Sequence, residues 1–205
     1  MTPLTPPVTR PFRGVSAVER RQSRRQRLVE AAFGLAGTRG SASLGVGEVC
    51  AAAGLTKRYF YESFASIDGL GAAVVDHAIA IMVARTAPFR PDAPGGSVHA
   101  AIKAFIDGLL DDPLLTRILI TETQSGSLSR YRGRIMEVGV ASLLPVDRLA
   151  GSESLDHRRF IAYAQMGALG EICLAWHQGV VAMPRDELVD RLVDLFARIA
   201  GSPPA

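Results

Sequence analysis

Residues 45–64, GVGEVCAAAGLTKRYFYESF, compress two short helix-length patterns and a turn into about twenty positions. Val46, Val49 and Cys50 fall on one helical face over about 45–52, and Ser43 stands where a cap is expected. Gly54 is the residue type that stops a helix, because without a Cβ it enters the left-handed region freely. Thr56 can then cap a second helix over about 56–63. That is the size of a helix-turn-helix unit. Inside it, Lys57 and Arg58 run straight into Tyr59, Phe60 and Tyr61. Successive helical side chains point about 100° apart, so three adjacent rings cannot share one core. Phe60 and Phe64, four apart, fit a plug with Leu55, which leaves Lys57, Arg58, Tyr59 and Tyr61 facing outward.

The rest of the chain repeats the helical period and shows no alternating strand pattern of useful length, so an all-α fold is expected. A first helix fits about 19–38, with Leu28, Ala31, Ala32 and Leu35 on one face and arginines at its start. A fourth fits about 67–85, through Ile67, Leu70, Val74, Ala78 and Ile81. The Pro/Gly break APFRPDAPGG (87–96) is the best boundary, and further helices are expected near 97–110, 113–124, 128–143, 155–178 and 184–200. Residues 1–18, with prolines at 3, 6, 7 and 11, read as a mobile basic arm. The expected organisation is that arm, a helix-turn-helix domain over 19–66, a connecting helix over 67–86 and a helical domain over 97–200.

Charge sharpens the reading of the front end. Residues 1–64 hold ten Arg/Lys against four Glu, whereas the remainder holds thirteen basic and sixteen acidic residues. A basic module on a slightly acidic body suits a polyanion partner. The first residues of a recognition helix reach base edges in the major groove. Lys57 and Arg58 can meet phosphates or guanine, and the Tyr59 and Tyr61 hydroxyls can donate to phosphate. No segment reads as a membrane span, since the run LGAAVVDHAIAIMVA (70–84) is broken by Asp76 and His77, and the N-terminus lacks the apolar core of a secretory signal. Cys50 and Cys173 have no pairing pattern, which fits reduced thiols in a cytoplasm.

Residues 24–70 resemble the DNA-binding domain of TetR-type transcriptional repressors. The likeness rests on Arg27, Ala31, Ala32, Gly40, Val49, Ala53, Gly54, Thr56, Lys57, Phe60, Tyr61, Phe64, Ser66, Asp68 and Leu70 in register. Less specifically, GALGEICLAWHQG and PRDELVDRLVDLF are similar to the last two helices of many members, which implies a homodimer through those helices. The candidate DNA contacts are Arg20, Arg21, Arg24, Ser43, Gly45, Thr56, Lys57, Arg58, Tyr59, Tyr61 and Ser63. Three positions depart from the family pattern. Leu44 replaces a common Thr or Ser, Ile67 a common Lys, and Glu62 and Ser63 stand before Phe64 where aromatics or His are common. Glu62 either repels phosphates or accepts from cytosine N4. Arginines at 10, 13, 20, 21, 24 and 25 can compensate along the DNA backbone.

What the resemblance implies for 97–200 is a domain that dimerises and binds a small apolar or amphipathic molecule. Phe105, Leu109, Glu122, Met136, Met166 and Glu171 are the candidate ligand contacts, against an alternative in which each is ordinary core or surface. The 155–178 helix is apolar nearly all round, from Phe160 to Trp176, so one side is expected to face a twin subunit. An enzyme finds no foothold. GVGEVCAAAG misses the G-x-G-x-x-G spacing, and Cys173 with His177 are too few for a metal site. No cofactor is expected. The remaining alternative is a ligand- or partner-binding protein whose helix-turn-helix has lost DNA affinity. Activation as well as repression stays open.

Overall fold

The computed structural model describes residues 16–124, 126–143 and 154–200. The first fifteen residues, with Arg10 and Arg13 of the expected arm, lie outside that set. Helix α1 spans Ala17–Arg39, so the last two positions assigned to the arm are already helical. Its start is fixed by a reciprocal capping box. Glu19 N–H donates to Ser16 Oγ at 3.1 Å, and Ser16 N–H donates to the Glu19 carboxylate at 2.6 Å. These bonds to Ser16 hold the Glu19 carboxyl below its usual range.

Three short elements follow. A 3-10 turn, Ser41–Ser43, leads into α2 (Val46–Ala53) and α3 (Lys57–Ser63). Leu28, Val29, Ala32 and Phe33 of α1 are buried together with Val49, Cys50, Ala53, Phe60 and Phe64. Helix α4, Ile67–Thr86, roots this cluster in the body, and Ser66 caps it by accepting from Gly69 N–H at 3.2 Å. With the 3-10 turn that follows, Ile67–Phe89 is long and apolar enough to cross a membrane by length and composition, at a mean hydropathy of 1.7. Contrary to the sequence reading, Asp76 and His77 do not break its apolarity. Its Leu70, Val74, Val75, Ala78 and Met82 are buried against α1 and the body, the composition expected of a helix packed on several sides.

The body comprises α5 (Val98–Leu110), α6 (Pro113–Thr116), α7 (Arg132–Leu143), α8 (Leu155–His177) and α9 (Arg185–Ile199). The expected 113–124 helix holds only for its first turn, then widens into a π turn over Arg117–Glu122. Among the described residues there is no strand. α1 and α6 approach closely because Gly37 has no side chain; a Cβ there would lie 2.8 Å from the Leu114 Cβ and 3.0 Å from its Cα. α5 packs on α4 and α9, and α8 on α7 and α9. In α9 it is Leu188, Val189, Leu192 and Phe196 that turn inward.

Candidate nucleic-acid interface and cavity

The turn between α2 and α3 is built as its glycine predicts. Gly54 adopts φ 63° and ψ 38°, and Leu55 N–H donates to the Cys50 carbonyl at 2.9 Å. Arg27 from α1 pins the turn by donating to the Ala53 carbonyl at 2.6 Å. Thr56 occupies the cap position of α3, yet its hydroxyl makes no capping bond. Phe60 is wholly buried and packs 5.9 Å from Phe64, ring to ring, so the two form the expected plug. Lys57 and Arg58 are exposed, and Tyr61 is 61% exposed. The Lys57 chain runs beside Gly47, where an added Cβ would lie 4.0 Å from Lys57 Cε. Burial pushes the Cys50 thiol up, with the Lys57 charge opposing.

Other candidate DNA contacts are placed less simply. Tyr59 is half-buried beneath the Arg24 guanidinium, 4.5 Å above its ring. The Ser63 hydroxyl is buried without a hydrogen-bond partner, so it faces inward rather than to solvent. Ser43 donates to the Gly40 carbonyl at 2.7 Å and does not cap α2, whose cap position is held by Gly45 in extended backbone. The expected cap was two positions early because the Ser41–Ser43 turn intervenes. Leu44 and Ile67 both pack against the hydrophobic core. Arg20, Arg21 and Arg24 lie on the first half of α1, and Arg21 donates to the Glu62 carbonyl at 2.6 Å. Glu62 itself meets Arg58 Nε at 3.1 Å and Arg24 Nη2 at 3.7 Å. The Arg58 pair was legible as an i,i+4 spacing; the Arg24 pair, between separate helices, was not.

A cavity of about 200 Å³ opens between α4, α5, the π turn, α7 and α8. Of the six ligand candidates, Phe105, Leu109, Met136 and Met166 line it. Glu122 and Glu171 do not. Glu122 is buried on the opposite side of the π turn, where Ser41 donates to its carboxylate and Arg117 Nε stands 3.6 Å away. Glu171 is exposed and pairs with Arg132 at 3.2 Å. Sequence reasoning missed Arg90, Gln124 and Arg132, which also line the cavity. Nothing in their local spacing marks them, because the cavity is assembled from segments far apart in the chain.

Residues 28–74 match the family described as bacterial regulatory proteins, tetR family. Over 190 residues the chain is 28% identical to an uncharacterized HTH-type transcriptional regulator of Haemophilus influenzae, covering 88% of this chain and 89% of that one. The chain resembles TetR-type transcriptional regulators, by its family match over residues 28–74 and by a relative aligned over most of its length. Solved structures of low identity share the fold of this chain. A tetR-family transcriptional regulator from Streptomyces coelicolor superposes with a TM-score of 0.67 at 19% identity, over 87% of this chain and 80% of its own. The multidrug binding protein EbrR, complexed with imidazole, does so with a TM-score of 0.60 at 22% identity, over 84% and 94%. Regulators of that type bind DNA and are not enzymes. Among the described residues of this chain no cluster of His, Cys, Asp or Glu could hold a metal.

Proposed function

We propose that this regulator binds a palindromic operator as a homodimer, represses transcription there, and is released by a small apolar or amphipathic molecule entering the cavity. In this reading residues 19–66 are the DNA-binding unit, 67–86 the connecting helix and 97–200 the ligand and dimer unit, all in the cytoplasm. The observation that carries it is the inward pair Phe60 and Phe64, which leaves Lys57, Arg58 and Tyr61 on an open basic face. Ile79, Met82, Val83 and Thr86 of α4 wall the cavity at the other end of the helix that roots this face. The relative named multidrug binding protein supports a small-molecule effector by analogy of fold. Two recognition helices must meet grooves about 34–36 Å apart, so a ligand that tilts α4 costs operator affinity.

Leu44 and Ile67, apolar and packed inward, favour a second reading in which DNA affinity has been lost. Salt separates the two. A DNA-binding dimer loses affinity steeply as salt rises, and Lys57→Ala lowers the slope of log K against log salt by about 1 for each phosphate contact removed. Weak binding with a flat slope in both proteins favours the second reading. Selecting bound fragments from genomic DNA with the purified chain then yields the half-site and its spacing.

A further inference from the structure

Glu62 is an acidic side chain on the face that is to meet a polyanion, and the residues around it explain its presence. Its carboxylate receives Arg58 Nε from its own helix at 3.1 Å and stands 3.7 Å from Arg24 Nη2 of α1. Its backbone carbonyl accepts from Arg21 Nη2 at 2.6 Å. Arg24 is held a second time, by the Tyr59 ring 4.5 Å below its guanidinium, and its side chain is only 24% exposed. One residue at the end of α3 therefore gathers three arginines from two helices.

We propose that Glu62 is a positioning residue for DNA binding: it fixes Arg24 and Arg58 as a pair whose remaining donors meet backbone phosphates. The inference rests on the DNA-binding reading above. A guanidinium carries five N–H donors in a planar fork, and Arg58 commits only Nε to Glu62, which leaves both terminal nitrogens to face outward. A free arginine gives up its rotamer freedom when it grips a phosphate; one already held has little left to lose. The carboxylate's own repulsion is local and is offset by the cations touching it, since fields between exposed charges fade over about 10 Å at 0.1 M salt. Glu62 thus holds the exposed Arg58, and Glu62 with Tyr59 the largely buried Arg24, in place to grip phosphate.

Bulk electrostatics forecasts the opposite sign: deleting an acid from a DNA-facing surface tightens binding. The experiment reads that sign. The affinity of the purified full chain for a mixed-sequence duplex of about 30 base pairs at low salt is compared among wild type, Glu62→Ala, Glu62→Gln, Arg24→Ala and the Glu62→Ala/Arg24→Ala double variant. Urea unfolding of each keeps folding separate from binding, and Glu62→Gln, which retains an acceptor for Arg58, serves if Glu62→Ala folds poorly. We expect Glu62→Ala to weaken binding roughly three- to tenfold, Glu62→Gln to recover part of the loss, and the double variant to lose less than the sum of the two single losses. Equal or tighter binding by Glu62→Ala, or fully additive losses in the double variant, overturns the proposal. Salt-insensitive, negligible binding by wild type instead sinks the DNA-binding reading on which it stands.

Discussion

Cys173, near the C-terminal end of α8, is wholly enclosed, and burial pushes its thiol up to about 12 from an ordinary 9.0. Its proton therefore stays on in the folded protein at pH values where the unfolded chain releases it. Below pH 9 the thiol contributes no pH dependence; between 9 and 12 the unfolded state gains by ionising and stability falls. The expected slope from this one group is about 1.4 kcal/mol per pH unit once well above 9. Urea unfolding at pH 8, 9.5 and 10.5 checks it against Cys173→Ala, whose curve should lose that extra decline while keeping whatever other groups contribute. Identical slopes in the two proteins would mean that the thiol exchanges freely with solvent. Residue-level features of this kind divided sharply in what the sequence disclosed. Phe60 and Phe64 were legible as a plug because their spacing alone puts them on one face. The inward Ser63 hydroxyl, beside them, was not, since a helix end can turn either way and its neighbours decide.

At the scale of elements, the π turn Arg117–Glu122 joins the two halves of the protein. On one side Leu119 and Ile120 wall the cavity. On the other, Arg117 Nη1 donates to the Thr38 carbonyl at 3.0 Å, and Glu122 accepts from Ser41. The turn thus touches both the cavity and the end of α1. Ser41→Ala leaves the buried Glu122 carboxylate short of a donor, and the expected cost is about 1–3 kcal/mol of folding stability. Chemical denaturation measures it, with Ser43→Ala as the control, because Ser43 bonds only locally to Gly40. If both substitutions cost the same, the Ser41–Glu122 bond has no special weight. Helix positions were largely readable in advance, since Gly54 and the Pro/Gly break at 87–96 punctuate the chain and apolar residues recur at helical spacing on either side. The π turn was not. Its partners lie about eighty positions away, and Glu122 read in sequence as a polar group among apolar helices, the pattern of a ligand contact.

For the whole molecule, the unbalanced surface lies on α8. Phe160 is 69% exposed and Tyr163 51% exposed, and Gly167, four further on, has open space where a side chain would stand. Residues spaced three and four apart form one stripe along the helix, while Ile161, Gln165 and Leu169 of the same helix turn into the body. An isolated chain gains nothing by keeping these rings in water, whereas a second copy, laid on the same stripe by two-fold symmetry, buries both sets at once. The small residue at 167 lets two such helices approach closely. In the proposed homodimer, Phe160→Glu places a charge at the centre of that stripe, where aromatic anchors commonly carry about 2 kcal/mol or more of binding energy. We expect the dimer dissociation constant to rise at least about 30-fold. Sedimentation velocity across protein concentration measures that change. Since the two recognition helices act together only in a dimer, the same substitution should reduce affinity for a full palindrome much more than for a single half-site. A variant that remains dimeric, or that loses both affinities equally, removes the α8 stripe from the assembly and moves the two-fold axis elsewhere on the body.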